Sequence, residues 1–389
     1  MNRSLYFILP LLAGFFLSAY HLSPPHALLA QQVYSIPGEK IIPAADSIKD
    51  RRIPEMAIQQ LKNFPEKTQF SIAVIQSGKI SFFGLLKEKD SILEINNSTA
   101  IFEIGSITKV FTAAVLADLV IRKKIKLEDF INTYYPFPFH QNIQLNFKSL
   151  SNHTSGLPRL PANFAAAKTA PLNPYKNYGA RQLEDYLKNE LSLQQPTGAR
   201  YEYSNLGAGL LGYTLGRSQK TTFPDLLKKT VLDKYQMRHS YIRPEQAGPQ
   251  LVKGLNEKGD EVPNWEFDAL FGGGGLLSCT KDLALFAMAQ FDASNKELAL
   301  TRVPTFTVSD RMQMGLGWHI ISTNYGRQLY WHNGGTGGYS SSMAINASSG
   351  NAVILLSNVS AFHPQKDRID QLCFNLARLI AKKTEAAAP

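Results

Sequence analysis

The chain is poor in several things, and each shortage narrows what it can be. Of its 389 residues only two are cysteine, Cys279 and Cys373. Neither a disulfide framework nor a Cys-x-x-Cys pair can be built from them. They read as two buried free thiols, although an oxidising compartment would allow them to pair. There is no His-Glu-x-x-His stretch either, so no metal and no cofactor is expected. No Gly-x-Ser-x-Gly elbow is present, which argues against an α/β-hydrolase. The four glycines 272–275 are not followed by Gly-Lys-Ser/Thr, so they do not form a phosphate loop. Charged residues, at 19%, are ordinary for a globular enzyme, and the formal net charge of +10 comes from scattered basic residues. The densest short cluster, Arg122-Lys123-Lys124, reads as a solvated helix end where cations complement the dipole. With no basic block interleaved with aromatics, nucleic acid is not an expected partner. Internal repeats and low-complexity tracts are also absent.

A long hydrophobic run is nearly present at the N-terminus. Arg3 precedes an apolar stretch from Leu5 to Tyr20, interrupted by Pro10 and followed by Ala27 and Ala30. The stretch falls just short of the ~17–25 residues of a spanning helix. It reads as an export signal over residues 1–30, cleaved near Ala30. The protein is then expected in the periplasm or secreted, with the membrane met only through that signal.

What remains is ordinary for a globular enzyme, with 44% hydrophobic residues. The length exceeds the ~250–300 residues of a single core, so two packed subdomains are expected. Residues 31–50 read as a polar lead-in. Residues 69–84 read as two strands around Ser77-Gly78-Lys79. Helices are expected from 106 to about 120, over 182–193, 206–215, 223–235 and 280–290, and strands over 315–321, 329–338, 340–346 and 352–358. A last amphipathic helix covers 370–381. Strands from both chain ends around a helical middle give an α+β fold. The expected division of residues 31–389 is a sheet subdomain (about 45–105 and 255–389) and an inserted helical subdomain (about 106–254).

Three short motifs carry chemistry. In the first, Ser106-Ile-Thr-Lys109 opens an apolar helix. A spacing of three puts the hydroxyl and the amine on one face. A lysine on the first turn of a buried helix needs a partner or a purpose, and once desolvated it can serve as the base an alcohol nucleophile requires. Tyr203-Ser-Asn205 follows a turn. Tyr203 offers a second candidate base, and Asn205 an amide able to bind a substrate carbonyl and the amine together. The third motif, His332-Asn333-Gly334, ends a strand and runs into a glycine turn that a substrate backbone could approach closely. Backbone N–H groups of Ser106 and of a residue near Tyr339 or Ser340 are candidates for an oxyanion hole.

In this order, with flanks such as Leu150-Ser-Asn-His-Thr-Ser-Gly-Leu-Pro158 and Pro196-Thr-Gly198, the motifs resemble those of the serine β-lactamase and penicillin-recognising DD-peptidase superfamily, class C-related group. The resemblance covers about residues 65–360. It implies an antiparallel sheet flanked by helices with a mainly helical insertion. It also implies Ser106 as acylated nucleophile, Lys109 as partner base, Tyr203 as base or proton shuttle, and a substrate-binding set of Asn205, His332, Asn333, Gly334 and Ser340. A penicillinase of this type usually has Lys-Thr-Gly where this chain has His-Asn-Gly, which favours a DD-peptidase or esterase over a β-lactamase. Peptidoglycan, or a smaller peptide or ester, is the expected partner. If the charge of His332 binds an anionic substrate, kcat/KM should fall as pH rises through ~6–7. A non-catalytic binding protein that kept the cleft is the alternative of another class.

Overall fold

In the computed structural model, residues 34–36, 39–42, 50–164 and 170–386 are described, and the expected export signal lies outside them. Strands run β1 Tyr34–Ile36, β2 Glu39–Ile42, β3 Gln69–Gln76, β4 Lys79–Glu88, β5 Ser91–Ile95, β6 Phe102–Glu103, β7 Gly254–Leu255, β8 Glu261–Val262, β9 Leu277–Ser278, β10 Phe306–Ser309, β11 Met312–Met314, β12 His319–Ser322, β13 Gln328–Gly335, β14 Ser340–Asn346 and β15 Asn351–Ser357. Eleven of them form one sheet in the order β1-β2-β5-β4-β3-β15-β14-β13-β12-β11-β10. Its ladders are antiparallel except between β2 and β5. The two ends of the chain meet in the middle, where β15 pairs with β3.

Local chemistry explains the centre. Ser77 and Gly78 both take positive φ, 49° and 76°, as a two-residue hairpin turn between right-twisted strands requires. Side chains alternate across a strand. In β3, Phe70, Ile72 and Val74 join one apolar cluster, while Ala73 and Ile75 join another. Strand β15 is buried along its whole length, because Val353 and Leu355 face one layer and Ala352, Ile354 and Leu356 the other. One layer consists of helices Arg52–Leu61 and Asp367–Ala386. The other is the helical body that fills the middle of the chain. The fold is α+β, a large, almost wholly antiparallel sheet with helices on both faces.

Helix Thr108–Ile121 runs through that body. Helices Asn205–Ser218, Phe223–Leu227 and Lys296–Thr301 and the turn Phe271–Gly273 surround it. This is why it is apolar all round: a helix with no solvent face needs no polar stripe.

Several boundaries differ from expectation. Two short strands, β1 and β2, lie where a polar lead-in was read. Helix Arg52–Leu61 gave no expectation at all. Residues 315–318 form a turn rather than a strand: Gly317 has φ of 72°, and a Cβ there would lie 2.7 Å from the Lys109 carbonyl oxygen. The helix expected over 223–235 is α-helical only to Leu227 and then widens into a π-turn over Lys228–Leu232. Both cysteines are free and buried.

Candidate active site

Ser106 lies within a 3₁₀ turn, Gly105–Ile107, which leads directly into helix Thr108–Ile121. It is therefore not an N-cap. Gly105 is demanded twice over. Its φ is 50°, and a Cβ there would lie 2.5 Å from the backbone nitrogen of Gly335 on β13. The Ser106 turn and the end of β13 touch backbone to backbone. Gly334 is equally constrained, because a Cβ would lie 2.0 Å from the Ile104 carbonyl oxygen. That carbonyl also accepts from Ser341 Oγ at 2.8 Å.

The Lys109 amine is nearly sealed from solvent, at 2% exposure. It lies 2.8 Å from Ser106 Oγ, 2.9 Å from Asn205 Oδ1 and 2.7 Å from the Gly273 carbonyl oxygen. Burial holds its pKa well below the ordinary 10.5, and the nearby Arg159 charge pushes the same way. Hydrogen-bond capacity agrees with a neutral amine. Two of its three neighbours are pure acceptors and take its two N–H bonds. The third is a hydroxyl that can donate into the lone pair.

Each neighbour is placed by its own segment. Ser204 caps helix Asn205–Ser218 by accepting from Gly207 N at 2.8 Å. This fixes Tyr203 just before the helix and Asn205 as its first residue. The Gly273 carbonyl reaches Lys109 because the glycine turn nests against that helix: a Cβ on Gly272 would lie 2.8 Å from the Ala208 carbonyl oxygen. Thr112 Oγ1 ties the turn down by donating to the Gly272 carbonyl at 2.8 Å. The glycines are thus close-packing residues beside the cleft.

Tyr203 lines the cleft together with Ser106, and burial raises its pKa and holds it as a neutral phenol. Its ring is enclosed by His153 at 4.4 Å, His332 at 6.3 Å and His319 at 6.5 Å between centroids. The Lys109 amine sits 4.8 Å from the ring centre and the Arg159 guanidinium 5.3 Å. His153, read as a turn-fixing loop residue, does fix a turn. Its φ is 61° and its Nδ1 accepts from Ser204 N at 3.2 Å.

His332 differs from its expected role as a charged anchor. It is fully buried beneath β13, and desolvation, reinforced by His319 and Lys109, keeps its pKa well below 6.5. The imidazole is neutral at physiological pH, so the expected fall of kcat/KM through ~6–7 loses its basis. His319 behaves alike, pushed down to about 4 by burial, with its Nε2 3.0 Å from Tyr201 Oη. Asn205 and Asn333 are also engaged. Asn205 Nδ2 donates to Tyr175 Oη at 3.1 Å, and Asn333 Nδ2 donates to Asp370 at 2.7 Å. Ser340 pairs with Gly335 across the ladder and lines the cleft. The backbone of Gly335 abuts Gly105, the residue before Ser106, so its N–H joins those near Tyr339 and Ser340 as a candidate for the oxyanion hole.

A cleft of 440 Å³ opens over Ser106 and Tyr203, runs along Asn333 and Gly335, and reaches Asp370. Tyr175, Arg159, His319 and Asp370 belong to this site and carry no motif of their own. Only Arg159 had a neighbouring signal, as it follows the Leu150–Pro158 stretch. Among the described residues, one group could offer metal ligands, namely His239, Cys279 and Asp282. Its atoms are occupied with capping: Asp282 N donates to Cys279 Sγ, and Asp282 accepts from His239 N and Ser240 Oγ.

A buried amine against a hydroxyl at the mouth of a cleft, on this sheet-and-helix scaffold, defines a serine hydrolase of the β-lactamase and transpeptidase superfamily. A family model described as Beta-lactamase matches residues 49–374. The chain belongs to that family. It is 27% identical over 281 residues to a beta-lactamase of Pseudomonas fluorescens, covering 69% of this chain and 74% of that one. To penicillin-binding protein 4* of Bacillus subtilis (strain 168) it is 25% identical, covering 67% of this chain and 61% of that one. The fold is also that of the octameric penicillin-binding protein homologue from Pyrococcus abyssi, with a TM-score of 0.72 at 21% identity, covering 86% of this chain and 78% of that one.

Proposed function

We propose that the protein is an exported acyl-transfer hydrolase of the DD-peptidase or esterase kind, working through an acyl-enzyme on Ser106. The observation that carries this reading is the buried Lys109 amine, 2.8 Å from Ser106 Oγ and placed to accept its proton. Ser106 Oγ attacks the substrate carbonyl carbon as its proton passes to Lys109. The tetrahedral oxyanion is met by the backbone N–H groups of Ser106 and of a residue from Gly335 to Ser340. The bond to the leaving nitrogen or oxygen then breaks. Tyr203, a neutral phenol beside Ser106, relays the proton from the Lys109 ammonium to the leaving group. Water repeats the sequence on the acyl-enzyme and releases the acid.

Substrates of this reading are D-amino-acid peptides of cell-wall type and small esters or amides. The export signal read at residues 1–30 supports a periplasmic or secreted site of action. Among the described residues no helix is long and apolar enough to cross a membrane. A β-lactamase is the second reading, favoured by the names of relatives such as that of Pseudomonas fluorescens. It ranks lower because the third motif presents a buried neutral histidine where a fixed cation would hold a β-lactam carboxylate. A fluorophosphonate should label the wild type and fail to label Ser106→Ala. Absence of labelling in the wild type would sink the reading in favour of a non-catalytic binding role. Rapid nitrocefin turnover with no activity on D-Ala-D-Ala peptides or p-nitrophenyl esters would reverse the ranking.

A further inference from the structure

Strand β13 divides its side chains between two surroundings. His332 faces the helical body beside Tyr203. Trp331 and Asn333 face the C-terminal helix, Trp331 packing on Phe374 at 5.3 Å and Asn333 donating to Asp370 at 2.7 Å. Asn333 lies two residues before Gly335, about 6.7 Å along the strand from the backbone that abuts Gly105. The cleft above Ser106 therefore continues along β13 to the start of the C-terminal helix, where Asp370 is among its lining residues.

That carboxylate is held in place by the Asn333 amide, which donates to its Oδ2 at 2.7 Å, while its buried Oδ1 has no hydrogen-bond partner. Burial is the largest influence on it, and Lys366 the weakest. Among the described residues no cation forms an ion pair with it. Lys366 and Asp367, both exposed, line the same end of the cleft, one of each sign. An acidic residue in the first turn of helix Asp367–Ala386 has a plain structural use, to complement the helix dipole. Asp367 already meets that use from solvent. The dipole does not account for the half-burial of Asp370, for the amide that orients it or for its place in the cleft wall. A part-buried carboxylate without a cation is costly unless something completes it.

Building on the acyl-transfer reading above, we infer that the substrate carries a primary ammonium group, which Asp370 receives at the far end of the cleft with Asn333 as its positioning residue. The third motif thus does the opposite of what a carboxylate-binding Lys-Thr-Gly would do. It orients an anion toward the substrate.

The test uses p-nitrophenyl esters of one chain length whose far end is an ammonium, a methyl or a carboxylate. A second series carries the same groups on the alcohol side. Hydrogen bonds to charged groups are worth ~1.5–3 kcal/mol, so in at least one series wild-type kcat/KM should favour the ammonium over the methyl by roughly 10-fold or more. In Asp370→Asn that ratio should fall to about one. In Asp370→Lys the preference should turn to the carboxylate. Wild-type turnover with no ammonium preference in either series would overturn the inference and leave the acyl-transfer reading standing. An ammonium preference that survives in Asp370→Asn would overturn it as well. If no ester is turned over and fluorophosphonate does not label Ser106, the acyl-transfer reading fails and takes this inference with it.

Discussion

The two faces of the central sheet are both buried, but they are buried differently. Toward the terminal helices, Phe70, Ile72, Val74, Val353 and Leu355 meet Ile58, Leu61, Leu372 and Leu376 in an apolar layer. Toward the helical body, an equally dry core also encloses Lys109, His153, His319 and His332, with Glu103 nearby. Polar groups in such a place weaken a fold unless each is fully partnered. Several are not: His153 Nε2, His319 Nδ1, His332 Nε2 and Glu103 Oε2 lack hydrogen-bond partners. The terminal-helix face is apolar except at its edge, where Asn333 meets Asp370, whereas the helical-body face encloses the lysine beside Ser106.

Substitutions on the two faces should therefore fail in opposite ways. The largest effect is expected for Lys109→Met. Removing the base should slow Ser106 phosphonylation by ~10²–10⁴-fold. Stability should change by only about 1–2 kcal/mol, because two carbonyl acceptors lose a partner while a buried amine is removed. A melt showing collapse alongside the lost activity would erase the contrast. Leu355→Ala on the apolar face should do the reverse, costing ~2–5 kcal/mol in denaturant titration while kcat/KM stays within a factor of about two.

Glu103 offers a sharper probe of the polar face. Burial raises its carboxyl from 4.5 to about 7, against hydrogen bonds from the Asn264 amide and the Trp265 backbone N–H that pull it down. Between those pH values the native state keeps a proton that the unfolded chain has released. Stability is then full below the unfolded value and declines as pH rises through about 7. The loss should be on the order of 3 kcal/mol. Glu103→Gln should flatten that decline in unfolding curves between pH 5 and 8, whereas an unchanged slope would assign it to other groups. The smallest effect is expected for Tyr175→Phe, which frees the Asn205 amide and should lower kcat/KM by ~3–10-fold, the worth of one hydrogen bond.

Much of this contrast was legible in the sequence. The all-apolar helix after Ser106 announced a buried lysine, and the Ser77-Gly78 hairpin and the β14–β15 pair fixed the centre of the sheet. What sequence could not supply was environment. Histidine at position 332 suggests a titratable cation, but its ionisation is decided by burial against the helical body, which a strand-end motif does not reveal. Asp370 reads as a helix-start acid, since the amide that orients it comes from a strand 37 residues earlier. Tyr175 sits in a proline-rich loop with no pattern to mark it, and it reaches the site by stacking on Phe267 at 4.3 Å. The strands β1 and β2 are too short to show a period.

The claim on which the rest depends is that Lys109 is neutral and accepts the Ser106 proton. The most direct measurement is the rate of Ser106 phosphonylation by a fluorophosphonate as a function of pH, with Lys109→Met as the reference. Desolvation of the amine, which holds its pKa well below 10.5, predicts a wild-type rate that levels off well before pH 10. A rate still climbing about tenfold per pH unit from 7 to 10, as an amine with the ordinary value of 10.5 would give, would contradict the account.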